Sequence, residues 1–206
     1  MNHRQRFALA AGALVAAASA AVFVSAKGSD APAPLVPPAH FPGMLTGPAP
    51  WSRNVSHLRA RLAAIGLPAL PSEGTVLHIH QHLDVVIDGA RVEVPAGIGI
   101  DAAETFISPL HTHDSTGIIH VESPTVETFT LGQFFAVWGV RFTPTCLGGY
   151  CASGAKRLRV YVDGRSVKGD PRRIPLEEHE EILVAFGTRA QVPRPVPRSF
   201  AFPSGL

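Results

Sequence analysis

Between residues 75 and 88 polar and apolar positions alternate. Ile79, Leu83, Val85 and Ile87 share the odd positions with Gln81, and His78, His80, His82, Asp84, Val86 and Asp88 take the even ones. A period of two is that of a strand with one buried face. The segment therefore predicts a long strand whose apolar face is interrupted by Gln81 and whose other face carries the histidines. Asp88-Gly89 is a hairpin turn signal, with residues 91–94 returning as its partner strand. Residues 110–113 and 118–122 flank His113-Asp114-Ser115-Thr116-Gly117, a second turn between strands. The pattern then changes. Residues 126–129 read as a strand, Thr130 caps a helix over 131–138 that Gly139 stops, and 140–143 is extended. Residues 158–162 and 166–167 enclose the turn Asp163-Gly164, and 182–186 form a closing strand. The fold class that follows is mainly β (α+β): histidine-bearing β-hairpins followed by a β-grasp-like segment with one helix, in a core over 75–187.

Other segments flank this core. Residues 51–66 predict an amphipathic helix with Val55, Leu58, Leu62 and Ile65 on one stripe, Ser52 as cap, and Gly66 and Pro68 at its end; Arg59 and Arg61 lie off the stripe. Residues 27–50, with Pro32, Pro34, Pro37, Pro38 and Pro42, read as an extended linker, and the Pro/Arg-rich tail over 188–206 as disordered. Residues 1–26 pair a basic start, Arg4 and Arg6, with an unbroken apolar run and a small-residue site at Val24-Ser25-Ala26. That is a signal peptide, or a membrane anchor if it is not cleaved. Both place the rest of the chain outside the cytoplasm: periplasmic, secreted, or anchored and facing outward.

The formal net charge of +2 over 206 residues, with 46% hydrophobic and 17% charged residues, suits a globular core. No basic stripe with interleaved aromatics runs through the middle, which excludes nucleic acid as the expected partner. The two cysteines, Cys146 and Cys151, enclose a turn-prone loop, and outside the cytoplasm they predict a disulfide.

The chemistry lies in the histidines. Six of the ten fall between 78 and 120, as His78-Ile79-His80-Gln81-His82, His111-Thr112-His113 and His120-Val121-Glu122. Residues two apart on a strand project from one face with Cβ atoms roughly 6.5–7 Å apart, so two imidazoles converge on an ion about 2.0–2.1 Å from each nitrogen. Three in a row span about 13 Å, too far for one ion. Two of His78, His80 and His82 are thus expected as ligands and the third as a proton-handling neighbour, with a two-metal site as the alternative. His111, His113 and His120 supply the remaining metal-ligand candidates. Glu122, on the same side as His120, completes the set or accepts an imidazole N–H, and Asp84 does the latter for His82. His40, His57 and His179 read as surface residues, the last within the acidic run Glu177-Glu178-His179-Glu180-Glu181.

Imidazole suits Cu(II), Zn, Fe(II) and Ni; outside the cytoplasm Cu(II) and Zn rank above iron, and copper slightly above zinc by the general affinity order. The strings His-X-His-X-His-Leu at 78–83, Leu-His-Thr-His-Asp at 110–114, Gly-Ile-Ile-His-Val-Glu-Ser at 117–123 and Phe-Thr-Leu-Gly-Gln-Phe-Phe at 129–135 resemble a group of histidine-rich exported or membrane-anchored proteins of bacteria and archaea. That resemblance covers 75–187 and implies no particular activity. The His-X-His groups are also similar to those of cupins, but the Glu expected a few residues later is missing, and no cupin residue is carried over. The expected function is extracytoplasmic binding of Cu(II) or Zn, with the metal ion as partner. The alternatives are a mononuclear metalloenzyme (metal-hydroxide or oxygen chemistry) and a metal-free, membrane-tethered interaction module.

Overall fold

The computed structural model describes residues 36–206. The 1–26 signal or anchor segment and the start of the 27–50 linker lie outside the described residues.

Eleven strands and two α-helices are present among the described residues. The first are α1 (Leu58–Ala64), β1 (Leu77–Ile87), β2 (Ala90–Val92), β3 (Ile100–Asp101), β4 (Phe106–Ile107), β5 (Leu110–His111) and β6 (Ile118–Ser123). After α2 (Leu131–Trp138) come β7 (Cys146–Leu147), β8 (Tyr150–Cys151), β9 (Arg157–Val162), β10 (Arg165–Ser166) and β11 (Glu181–Gly187). The main sheet runs β10-β9-β11-β1-β6-β5, with β2 also paired to β1. β1 and β11 lie parallel at its centre, β6 and β9 antiparallel outside them, and α2 connects the two halves. This is a β-grasp order. The histidine strands β1 and β6 are themselves the first two strands of the grasp.

Register explains the core. Leu83 lies opposite Ile182, Val85 opposite Val184, Ile87 opposite Phe186 and Ile79 opposite Val121. These side chains share the face that meets Leu131, Phe134, Phe135 and Trp138 of α2. Burying a large apolar side chain contributes about 1.5–3 kcal/mol, so this seam is the main source of stability. Gln81 lies on the same face, fully buried, and neither of its amide atoms has a hydrogen-bond partner among the described residues. α2 begins and ends as its sequence dictates. Thr130 and Gln133 form a reciprocal capping box, and Gly139 takes a left-handed φ of 88°. Both Asp-Gly hairpins turn with positive φ at each residue: 52° and 90° at Asp88-Gly89, and 50° and 75° at Asp163-Gly164.

Several expectations are corrected. Residues 51–57 are not helical, and Ser52 caps nothing. α1 starts at Leu58 after His57, whose φ of 61° breaks the helical path. Trp51 accounts for this. It is buried edge-on against Trp138 at 5.9 Å, which holds the chain against the core in a non-helical path. Arg61 is fully buried rather than off the apolar stripe. Its guanidinium donates to the carbonyls of Ala136 at 2.9 Å, Val137 at 3.1 Å, Ser56 at 2.5 Å, and Asn54. It thereby satisfies the C-terminal end of α2, where a cation is favoured. Burial pushes its pKa down to about 10.

Residues 126–129 are irregular, with Val126 exposed, and 140–143 contribute isolated bridges only. The end of the Pro-rich segment is docked: Leu45 exchanges backbone hydrogen bonds with Gly139 and Arg141. The tail is docked as well. Val86, Leu183 and Ala185 make the histidine face of the sheet partly apolar, and Val192 and Val196 cover them. Cys146 and Cys151 form a disulfide across β7 and β8.

Candidate metal centre

The pairing of β1, β6 and β5 assembles the site. His80 lies directly opposite His120, and His111 opposite His120 on the other side, so three imidazoles form a row across three strands. His78 lies opposite Glu122, two residue pairs further along and on the same face. Directly opposed residues have Cβ atoms about 4.5–5.5 Å apart, which brings the rings into contact. Ring centroids are 4.6 Å apart for His80–His120, 5.3 Å for His111–His120 and 4.5 Å for His113–His120.

Two overlapping groups result. His78, His80, His120 and Glu122 form one and His111, His113, His120 and Glu122 the other; within each, one ligand atom per residue lies within 4.8 Å of all the rest. These groups could hold a metal ion. Nε2 of His78 and Nε2 of His80 are 3.2 Å apart, as are those of His111 and His113. Glu122 Oε1 is 3.3 Å from His78 Nε2, 3.2 Å from His120 Nδ1 and 3.8 Å from His111 Nε2. His80, His111, His120 and Glu122 form a buried floor, and His78 and His113 an exposed rim.

His82 does not join these groups. Its Nδ1 meets Glu181 Oε2 at 2.6 Å, its Nε2 meets the Thr116 carbonyl at 3.0 Å, and Phe200 of the tail stacks on the ring at 3.8 Å. Parallel pairing of β1 with β11 sets His82 opposite Glu181. Asp84 stands with them in a third group, within 4.8 Å, but its carboxylate is held by Arg91 at 3.0 and 3.1 Å. The carboxylate partner of His82, expected in Asp84, is thus supplied by Glu181, from the acidic run around His179. His179 is exposed, yet its backbone N–H donates to the His80 carbonyl at 2.7 Å, which places it beside the cluster.

Two further residues escaped the sequence reading. Glu73 Oε1 lies 3.4 Å from His113 Nε2. Glu73 precedes the strand, so no alternation marks it. Gly74 permits its approach: a Cβ there would stand 2.2 Å from the Ser123 backbone. The Ser108 carbonyl lies 3.1 Å from His111 Nδ1. A carbonyl only accepts, so Nδ1 carries the proton, and the Nε2 lone pair faces His113 and Glu122.

The electrostatics favour neutral imidazoles. Burial, then the neighbouring His113 and His120, pushes His111 down to about 3. Burial, then His113, His80 and His78, pushes His120 down to about 4. His80 is lowered by burial and by His78, and Glu122 is raised by burial and by the charge of Glu73. Neutral imidazole is the form that ligates metals. A surface cavity of about 430 Å³ is lined by Glu73, Ile100, Asp101, Phe106 and Ile107 among others, and by none of the cluster histidines. No described helix is long and apolar enough to cross a membrane. Compared with family models, curated proteins and solved structures, the chain matches none.

Proposed function

We propose that this chain is an extracytoplasmic transition-metal-binding protein that holds Cu(II) or Zn on the imidazoles of β1, β5 and β6. The observation that carries the reading is the doubled group of three histidines and one glutamate whose ligand atoms all lie within 4.8 Å. An imidazole set with carboxylate support is a borderline donor set, and the general affinity order puts Cu(II) first, with Zn next outside the cytoplasm. The Cys146–Cys151 disulfide fits a non-reducing compartment, and the apolar N-terminal segment fits export.

A second reading, a metalloenzyme, is favoured by one feature. The rim residues His78 and His113 are exposed, so a bound ion would be reachable from solvent. An ion with an open position supplies a bound hydroxide or a Lewis acid.

The test is elemental analysis with EPR on untagged full-length protein purified from the periplasm or its membrane. Stoichiometric copper with a type 2 signal, or stoichiometric zinc, is the expected result. An ion at 1,000 times its Kd stabilises the fold by about 4 kcal/mol, which a thermal melt with and without chelator detects. Absence of metal, together with a melting temperature indifferent to added Cu(II) and Zn, overturns the reading and leaves an interaction module.

A further inference from the structure

We propose that the cluster is built for two metal ions, one held by His78 and His80 and the other by His111 and His113, with Glu122 shared between them and His120 completing the set. The proposal rests on the metal-binding reading above and specifies its stoichiometry.

Donor count is the first ground. Five imidazoles and a buried carboxylate exceed the four ligands that a single zinc or type 2 copper takes from a protein. They are arranged as two groups that have only His120 and Glu122 in common. Two nitrogens bound to one ion at about 2.0–2.1 Å stand roughly 2.9–3.4 Å apart, for angles between a right angle and the tetrahedral value. The His78–His80 and His111–His113 Nε2 pairs, each at 3.2 Å, both match that edge. So do the contacts of Glu122 Oε1 with His78 Nε2 at 3.3 Å and His120 Nδ1 at 3.2 Å.

Topology is the second ground. His78 and His80 lie on β1 and His111 on β5, the strands flanking β6, with His113 just beyond the end of β5, and His120 and Glu122 belong to β6 itself. The shared ligands therefore sit between the two pairs, where a bridging carboxylate stands in sites whose ions are about 3.5–4 Å apart. Charge is the third. Glu73, 3.4 Å from His113 Nε2, adds a second carboxylate at the His111–His113 pair and offsets part of the second dication.

The test titrates Cu(II), and separately Zn(II), into the apo full-length chain, with native mass spectrometry for stoichiometry and EPR for coupling. Two ions per chain are expected, with a Cu(II) signal that integrates to well under two spins because the ions are coupled. His111→Ala/His113→Ala and His78→Ala/His80→Ala should each retain one copper that integrates to one spin. The exposed single variant His113→Ala should weaken one ion at least tenfold and leave the other within about twofold. Near-UV circular dichroism of Trp51 and Trp138 checks that the variants fold, and the wild-type spin count is independent of any variant. Saturation at one ion per chain, or loss of all metal in one folded double variant, overturns the two-ion proposal while metal binding stands. No uptake by the wild type removes both.

Discussion

Acidification should destabilise the metal-free protein, steeply and in a defined window. His111 and His120 are buried with folded-state values of about 3 and about 4, against about 6.5 in the unfolded chain. Their pKa values are depressed on folding, so the unfolded state takes up protons first. The stability they preserve as neutral groups is complete above about pH 6.5 and is lost as pH falls towards the folded values. Each contributes a slope of about 1.4 kcal/mol per pH unit below 6.5. From pH 7.5 to pH 5 the loss is about 2 kcal/mol per histidine, or about 4 kcal/mol together, a large share of an ordinary domain's stability. His80, lowered in the same direction, adds to this. Glu122, raised by burial, works the other way: its contribution is present at low pH and is lost as pH rises through its folded value.

Urea unfolding of the apo protein at half-unit steps from pH 7.5 to 5 measures the total, and His111→Gln isolates one part. The variant's slope should be shallower by about 1.4 kcal/mol per unit below pH 6. Identical slopes for wild type and His111→Gln, or an imidazole Cε1–H resonance of His111 that titrates near pH 6.5, would refute the reasoning.

Other consequences are separate. His80→Ala and His113→Ala should lower metal affinity at least about tenfold, whereas His179→Ala should leave stoichiometry unchanged because its hydrogen bond to His80 is made by the backbone and survives the substitution; isothermal titration decides. Arg61→Ala should cost about 3–5 kcal/mol in urea unfolding, with Arg61→Lys recovering part, since four carbonyls lose a buried charged donor. Gln81→Leu should stabilise the fold by about 1–2 kcal/mol, because an amide without partners leaves the face that meets α2; a fall in the urea midpoint would show that Gln81 has a partner after all.

Where local chemistry decides an element, the chain announces it. The Thr130–Gln133 capping box and Gly139 delimit α2, and the two Asp-Gly turns set their hairpins. Elements decided by tertiary contacts were not legible. Val55, Leu58, Leu62 and Ile65 keep helical spacing, yet the first of them falls outside α1 because Trp51 is drawn into the core. Arg61 looks like any surface arginine until the end of α2 arrives beside it. The tail carries the composition of a disordered segment, but Val192, Val196 and Phe200 find Val86, Leu183, Ala185 and His82 on a face that alternation marks as polar. Composition reports what a segment can do alone, not what surface it is offered.

The site shows the same division between parity and register. Alternation fixes which side of its strand each histidine occupies, and so names His78, His80, His82, His111, His113 and His120 as candidates without separating them. Register separates them. With His80 opposite His120 and His120 opposite His111, the row closes around β6, and His82 is left two residues beyond, beside Glu181 of the parallel neighbour. A slip of one residue in the β1–β6 pairing would set Ile79 or Gln81 opposite His120 and turn the imidazoles of one strand away from those of the other. The apolar face prevents that slip: Ile79, Val121 and Ile119 pack in the core cluster with α2, and displacing them would expose apolar side chains at up to about 1.5–3 kcal/mol each. The core thus holds the histidines in register, and a substitution on the apolar face, such as Ile119→Ala, should loosen the site without touching any of its ligand atoms.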